Sequence, residues 1–115
     1  MYQKMPLITL STSIKINQKN IFMEDCSKLL STLTNKSEKY VMVRLFEQIP
    51  IYFSQSFDPA CFIDVKSIGS IEPSKMSESI SEFISNKLKI PTHRTYIQFE
   101  NIEASNWAYG GKPFG

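Results

Sequence analysis

A hydrophobic pattern runs strand, helix, strand along this chain and then does so again. Residues 6–14, Pro-Leu-Ile-Thr-Leu-Ser-Thr-Ser-Ile, are rich in branched side chains and predict a strand, with Pro6 at its first position, where a missing N–H is tolerated. Phe22, Cys26, Leu29, Leu30 and Leu33 then fall at helical spacing, which predicts an amphipathic helix capped by Asn17 and ended by Asn35. Residues 41–47 alternate again, Val41, Val43 and Leu45 against Met42, Arg44 and Phe46. The second half repeats the order. Cys61, Ile63 and Val65 alternate with Phe62, Asp64 and Lys66; Met76, Ile80, Phe83, Ile84 and Leu88 mark a helix stopping before Pro91; Thr95, Ile97 and Phe99 alternate with Tyr96, Gln98 and Glu100.

Two such units of about 40 residues predict an α/β fold. The expected form is a β-α-β-β-α-β pseudo-twofold two-layer sandwich, a four-stranded sheet with two helices on one face. The other sheet face carries Phe62, Tyr96, Met42 and Phe46 among charged groups. So apolar a face predicts burial against further subunits in a closed ring, and Ile49–Phe53 is a candidate edge strand for a neighbour.

At 115 residues the chain suits one domain whose core leaves no room for a deep enclosed pocket, so any cleft is expected to be shallow or shared between subunits. Thirteen basic against eleven acidic residues, with no run of like charge, give no ground for a nucleic-acid partner. No stretch approaches the 18 apolar residues of a membrane span, and the N-terminus does not read as a signal peptide, so no membrane partner is expected. Cys26 and Cys61 form neither a disulfide framework nor a Cys-x-x-Cys pair and read as small buried hydrophobes. Four glycines cannot build a phosphate loop or a dinucleotide fingerprint, and a lone His93 argues against histidine metal sites and a Ser-His-Asp triad. The expectation is chemistry without a cofactor or metal and with a base other than histidine.

Met5-Pro6-Leu7-Ile8 opening a strand, Asn35-Lys36-Ser37-Glu38-Lys39-Tyr40-Val41 after the first helix, Ser67-Ile68-Gly69 after the third strand, Arg94-Thr95-Tyr96-Ile97 and the terminal Pro113-Phe114-Gly115 occur in one order along the chain. In these segments, from Met5 to Gly115, the sequence resembles the macrophage migration inhibitory factor family of the tautomerase superfamily and its microbial homologues. The resemblance implies a homotrimer with an active site at each subunit interface. It further implies a cofactor-independent phenylpyruvate tautomerase or L-dopachrome isomerase acting on small aromatic 2-oxo acids, with an N-terminal proline as general base.

Such proton transfer needs a base that is uncharged at neutral pH and donors for the carboxylate and the developing enolate. The resemblance assigns the base to Pro6, whose secondary amine is kept neutral by burial and a nearby cation. It assigns carboxylate binding to Lys36 and the backbone N–H of Ile68, the cross-interface contribution to Tyr96 and Gln98, and the apolar rim to Trp107 and Tyr109. Tyr96 and Gln98, two apart on a strand, share a face in any case. Gln98 stands where mammalian members carry asparagine, Trp107 and Tyr109 where they carry valine and tryptophan, and their Cys-x-x-Cys is absent, so thiol–disulfide activity does not carry over.

Residues 1–5 are expected to be an N-terminal extension or unprocessed leader to a single tautomerase-like domain spanning 6–115. While they remain, the Pro6 nitrogen is an amide and no base. The competing expectation is a cytokine-like binding protein with a vestigial pocket and a protein receptor. A cytoplasmic location is expected, with any release by a route that uses no signal peptide.

Overall fold

Two parallel strand pairs, each joined through a helix, meet antiparallel at the centre of one sheet in the computed structural model, which describes residues 5–115. The strands are β1 (Leu7–Thr12), β2 (Met42–Phe46), β3 (Cys61–Ser67) and β4 (Thr95–Asn101), in the order β2-β1-β3-β4. β1 pairs parallel with β2, β3 parallel with β4, and β1 antiparallel with β3. A parallel pair needs a long crossover. Helices α1 (Lys19–Thr34) and α2 (Pro73–Leu88) supply one each. A short hairpin, β5 (Ala108–Tyr109) and β6 (Lys112–Pro113), closes the chain. The α/β fold is the pseudo-twofold two-layer sandwich that the pattern predicts.

Both helices lie on one face because their apolar stripes and the inward residues of the central strands bury each other. Phe22, Cys26 and Leu30 of α1 and Met76, Ile80 and Ile84 of α2 form one buried cluster with Ile8 and Leu10 of β1 and Cys61, Ile63 and Val65 of β3. Phe22 stacks on Phe83 at 5.8 Å between the helices. Burying a side chain of this kind contributes roughly 1.5–3 kcal/mol. The expectation that both cysteines are core residues holds.

Several boundaries differ from those expected. β1 covers Leu7–Thr12 rather than 6–14, because the Thr12 hydroxyl donates to the Ala60 carbonyl (2.9 Å), as does the Ser13 N–H (3.3 Å), and the chain turns there. β2 covers Met42–Phe46 rather than 41–47, since Val41 ends a 3₁₀ turn, Glu38–Tyr40, and Gln48 takes a positive φ. The N-cap of α1 is Gln18, in left-handed conformation (φ 53) and without a side-chain cap bond, not Asn17. Asn35 ends α1 as expected, its left-handed φ of 56 being one that asparagine tolerates. Ile49–Phe53 forms no strand within the chain; only an isolated bridge, Phe53 to Ser56, marks it.

The outward face of the sheet reads as three rows across the strands. They are Phe46, Ser11, Phe62, Tyr96; then Arg44, Thr9, Asp64, Gln98; then Met42, Leu7, Lys66, Glu100. Met42 (52%), Phe46 (48%), Phe62 (40%) and Tyr96 (61%) are all exposed. No helix among the described residues is long and apolar enough to cross a membrane.

Candidate active site

β1 and β2 begin, and β3 and β4 end, at the same end of the sheet. There Ile102, just past β4, donates its N–H to the Ser67 carbonyl (2.8 Å), which turns the C-terminal segment across the strand ends. A cavity of about 300 Å³ results, lined by Met5, Pro6, Leu7, Met42, Lys66, Ile102, Asn106 and Trp107. That is the small end of the range for small-molecule sites, and its mainly apolar lining suits a compact hydrophobic body.

Pro6 sits in the wall of this cavity. Its side chain is buried, and its carbonyl accepts the Met42 N–H (3.0 Å). Register explains the placement: Leu7 faces Lys66 across the β1–β3 ladder, so Pro6, one residue earlier, falls opposite Ser67. Lys36 reaches the same point from the helix layer. The left-handed cap at Asn35 redirects the chain, the Lys36 N–H returns to the Ser31 carbonyl (3.1 Å), and the Lys36 Nζ donates to Ser67 Oγ (3.0 Å) and the Ile68 carbonyl (2.8 Å). Gly69, at φ +80, then takes the chain away from β3 in a conformation that other residues rarely adopt. Pro6, Lys36 and Ile68 thus converge on one strand end.

Tyr96 and Gln98 do not join them within one chain. They share the outward face of β4, as their spacing requires, but Tyr96 stands in the row of Ser11. Ser11 lies five residues along β1 from Pro6, roughly 17 Å at about 3.4 Å per residue. Tyr96 instead packs on Phe53 at 4.8 Å and lines a second cavity of about 290 Å³ with Ile49, Ile51, Tyr52 and Phe62. Trp107 lines the Pro6 cavity. Tyr109 is absent from that lining; it is exposed and packs on Tyr40 (6.4 Å) and Phe114 (6.3 Å) in the hairpin that Gly110 and Gly111, both at positive φ, allow to close.

Met42, Lys66, Ile102 and Asn106 line the cavity without any motif in the sequence that marks them for it. Lys66 was legible as an outward residue near a strand end; Ile102 and Asn106 follow β4, where no periodicity signals where the chain goes. Arg94 was also missed. It is buried, and its guanidinium donates to the carbonyls of Pro59 (3.0 Å), Phe53 (2.9 Å), Asp58 (2.9 Å) and Ser56 (3.4 Å) while lying 5.2 Å from the Phe53 ring. It fastens loop 53–59, and through Phe53 the surroundings of Tyr96.

Burial pushes both thiols up to about 12, Cys26 with help from Asp25 and Cys61 from Cys26, so neither is a nucleophile at neutral pH. No group of three or more His, Cys, Asp or Glu able to hold a metal occurs among the described residues.

A two-layer sandwich with an internal strand-helix-strand repeat and a proline at the mouth of an apolar cavity defines the class of protein. The model of the family Macrophage migration inhibitory factor (MIF) matches residues 5–115. The macrophage migration inhibitory factor homologue of Brugia malayi is 33% identical over 115 aligned residues, covering 96% of this chain and all of the relative. The Trichinella spiralis homologue is likewise 33% identical over 114, with the same coverage. Among solved structures, the homologue from Prochlorococcus marinus superposes with a TM-score of 0.90 at 35% identity, over 95% of this chain and 99% of that one. The chain belongs to the macrophage migration inhibitory factor family.

Proposed function

We propose that the protein is a cofactor-independent keto–enol tautomerase of small aromatic 2-oxo acids, of the phenylpyruvate tautomerase and L-dopachrome isomerase type, with Pro6 as its general base. The observation that carries this reading is the convergence of a buried Pro6 with the Lys36 ammonium at the Ser67–Ile68 strand end, beside an apolar cavity. Pro6 acts once residues 1–5 are gone, which frees a secondary amine; the family match that begins at residue 5 supports Met5 as the residue lost last. Burial and the Lys36 charge both disfavour the ammonium form and keep a lone pair available.

The amine removes a proton from the carbon next to the keto group. That C–H bond breaks, its electron pair forms the C=C bond, and the carbonyl oxygen takes the same proton from the Pro6 ammonium to become the enol, which restores the free amine. Lys36 and the Ile68 N–H hold the carboxylate, and Trp107 covers the aromatic ring. Tyr96 and Gln98 complete the site from a neighbouring subunit of a homotrimer, a reading supported by their exposure on the outward sheet face, far from their own Pro6. Tyr109 belongs to the outer rim.

Pro6→Gly, whose terminal amine is primary and less constrained, is expected to lower phenylpyruvate kcat/KM by about 10²-fold or more, within the usual range for a general base. Full retention of turnover would refute the mechanism. One observation favours a second reading: with Met5 attached, the Pro6 nitrogen is an amide and Met5 itself lines the cavity. In that form the protein acts as a cytokine-like binding partner of a receptor, with a pocket that does no chemistry.

A further inference from the structure

Lys66 supplies the charge in the lining of the Pro6 cavity; every other lining residue is apolar or neutral. It reaches the cavity from the outward face of β3, whereas Lys36 reaches the same strand end from the helix layer, engages Ser67 and Ile68, and is not part of the lining. The Lys66 Nζ lies 3.5 Å from Asp64 Oδ2 and 3.8 Å from Glu100 Oε1. Both separations exceed the 2.7–2.9 Å of a charge-assisted hydrogen bond, so these pairs orient the ammonium without saturating its donors. Asp64 keeps its buried Oδ1 without a hydrogen-bond partner, another sign that the cluster is not closed on itself.

We propose that Lys66 is a specificity-determining residue of this cavity. It adds, from the outward face of the sheet, a further contact to the carboxylate that Lys36 and the Ile68 N–H also hold, and selects anionic over neutral aromatic ligands. This rests on the reading of the Pro6 cavity as the substrate site. The charges around the contact are Lys66 and Asp64 on β3, Glu100 on β4, Arg44 on β2 and Lys36 from the helix layer. Arg44 Nε is committed to Thr9 Oγ1 (3.0 Å), one row away. Asp64 and Glu100 compete with a bound carboxylate for Lys66. Removing the Lys66 charge should therefore weaken an acid, and removing the Glu100 charge should strengthen it. A purely structural role for the cluster predicts no such opposition.

The chain's single tryptophan, Trp107, lines the same cavity, so its fluorescence reports occupancy without turnover. The probes are 3-phenylpropionate, a non-reacting carboxylate, and its neutral amide, titrated at low and high salt. The expected result is that Lys66→Met weakens the acid about tenfold, abolishes most of its salt dependence and leaves the amide within about twofold. Lys66→Arg should retain acid binding within about threefold, and Glu100→Gln should tighten it. The proposal is overturned if Lys66→Met binds the acid like wild type, if acid and amide weaken together while Lys66→Arg fails to rescue, if the loss appears in Lys36→Met alone, or if wild type does not bind the acid. Phenylpyruvate turnover by the same wild-type protein separates the two claims. Selective acid binding without turnover removes the tautomerase reading and leaves Lys66, whereas turnover with an indifferent Lys66→Met does the reverse.

Discussion

Pro6, Lys36 and Ile68 meet at one strand end because a strand register and a single left-handed turn agree. The register that sets Leu7 against Lys66 also sets Pro6 against Ser67, and the left-handed turn at Asn35 delivers Lys36 to that residue. Pairing across strands distant in sequence leaves no mark in local periodicity, which is why Lys66 went unnoticed beside Pro6. Cys26 and Cys61 were readable as core residues because each sits in an apolar stripe. Folded thiols that ionise only near pH 12 sit above the ordinary value of 9.0, so the protonated form is bound more tightly by the native state. The stabilisation is complete below pH 9 and is lost as pH rises from 9 toward 12, at up to about 1.4 kcal/mol per pH unit for each thiol. Urea unfolding across that range should show a shallower alkaline loss in a Cys26→Ala/Cys61→Ala variant. At pH 8 neither thiol of the native wild type should react with a disulfide reagent at the rate of an exposed cysteine.

Strands and helices were legible wherever one face is buried, since burial imposes a period of 2 or 3.6 on the apolar residues. Their ends were less so. Asn17 has the right chemistry for an N-cap, yet the chain enters α1 through a left-handed Gln18 instead, a choice that tertiary packing rather than capping decides. Loop 53–59 carries no period at all, and the residue that organises it lies 35 or more positions away. Arg94 holds four of that loop's neighbouring carbonyls, a pattern no local motif announces. Arg94→Met should keep much of the stacking on Phe53 but leave those carbonyls short of donors. A loss of about 2–3 kcal/mol is expected, from hydrogen bonds to a charged group, read by chemical denaturation. A change within 0.5 kcal/mol would mean that the loop holds itself.

The whole molecule has an outward sheet face that a single copy does not bury. Four exposed apolar side chains, Met42 and Phe46 on β2, Phe62 on β3 and Tyr96 on β4, would be a costly surface for a monomer in water. The same face carries Tyr96 and Gln98, whose proposed role requires a neighbour's Pro6 cavity. Assembly and catalysis are therefore linked predictions: sedimentation at micromolar concentration should give a trimer, and Phe62→Glu should shift it toward smaller species with a parallel loss of turnover. A fully active monomer would separate the two and remove Tyr96 from the site. At this scale the small size of the chain becomes intelligible, since a cavity of about 300 Å³ in one subunit can be completed by another.

In the proposed mechanism the chemistry belongs to the amine of Pro6. The most direct test of that assignment pairs intact mass with phenylpyruvate turnover on the same preparation. Turnover should be confined to molecules whose mass begins at Pro6, and should vanish in those that keep Met5. Equal turnover in protein that retains residues 1–5 would contradict it, because an amide nitrogen's lone pair is delocalised into the carbonyl and is not basic.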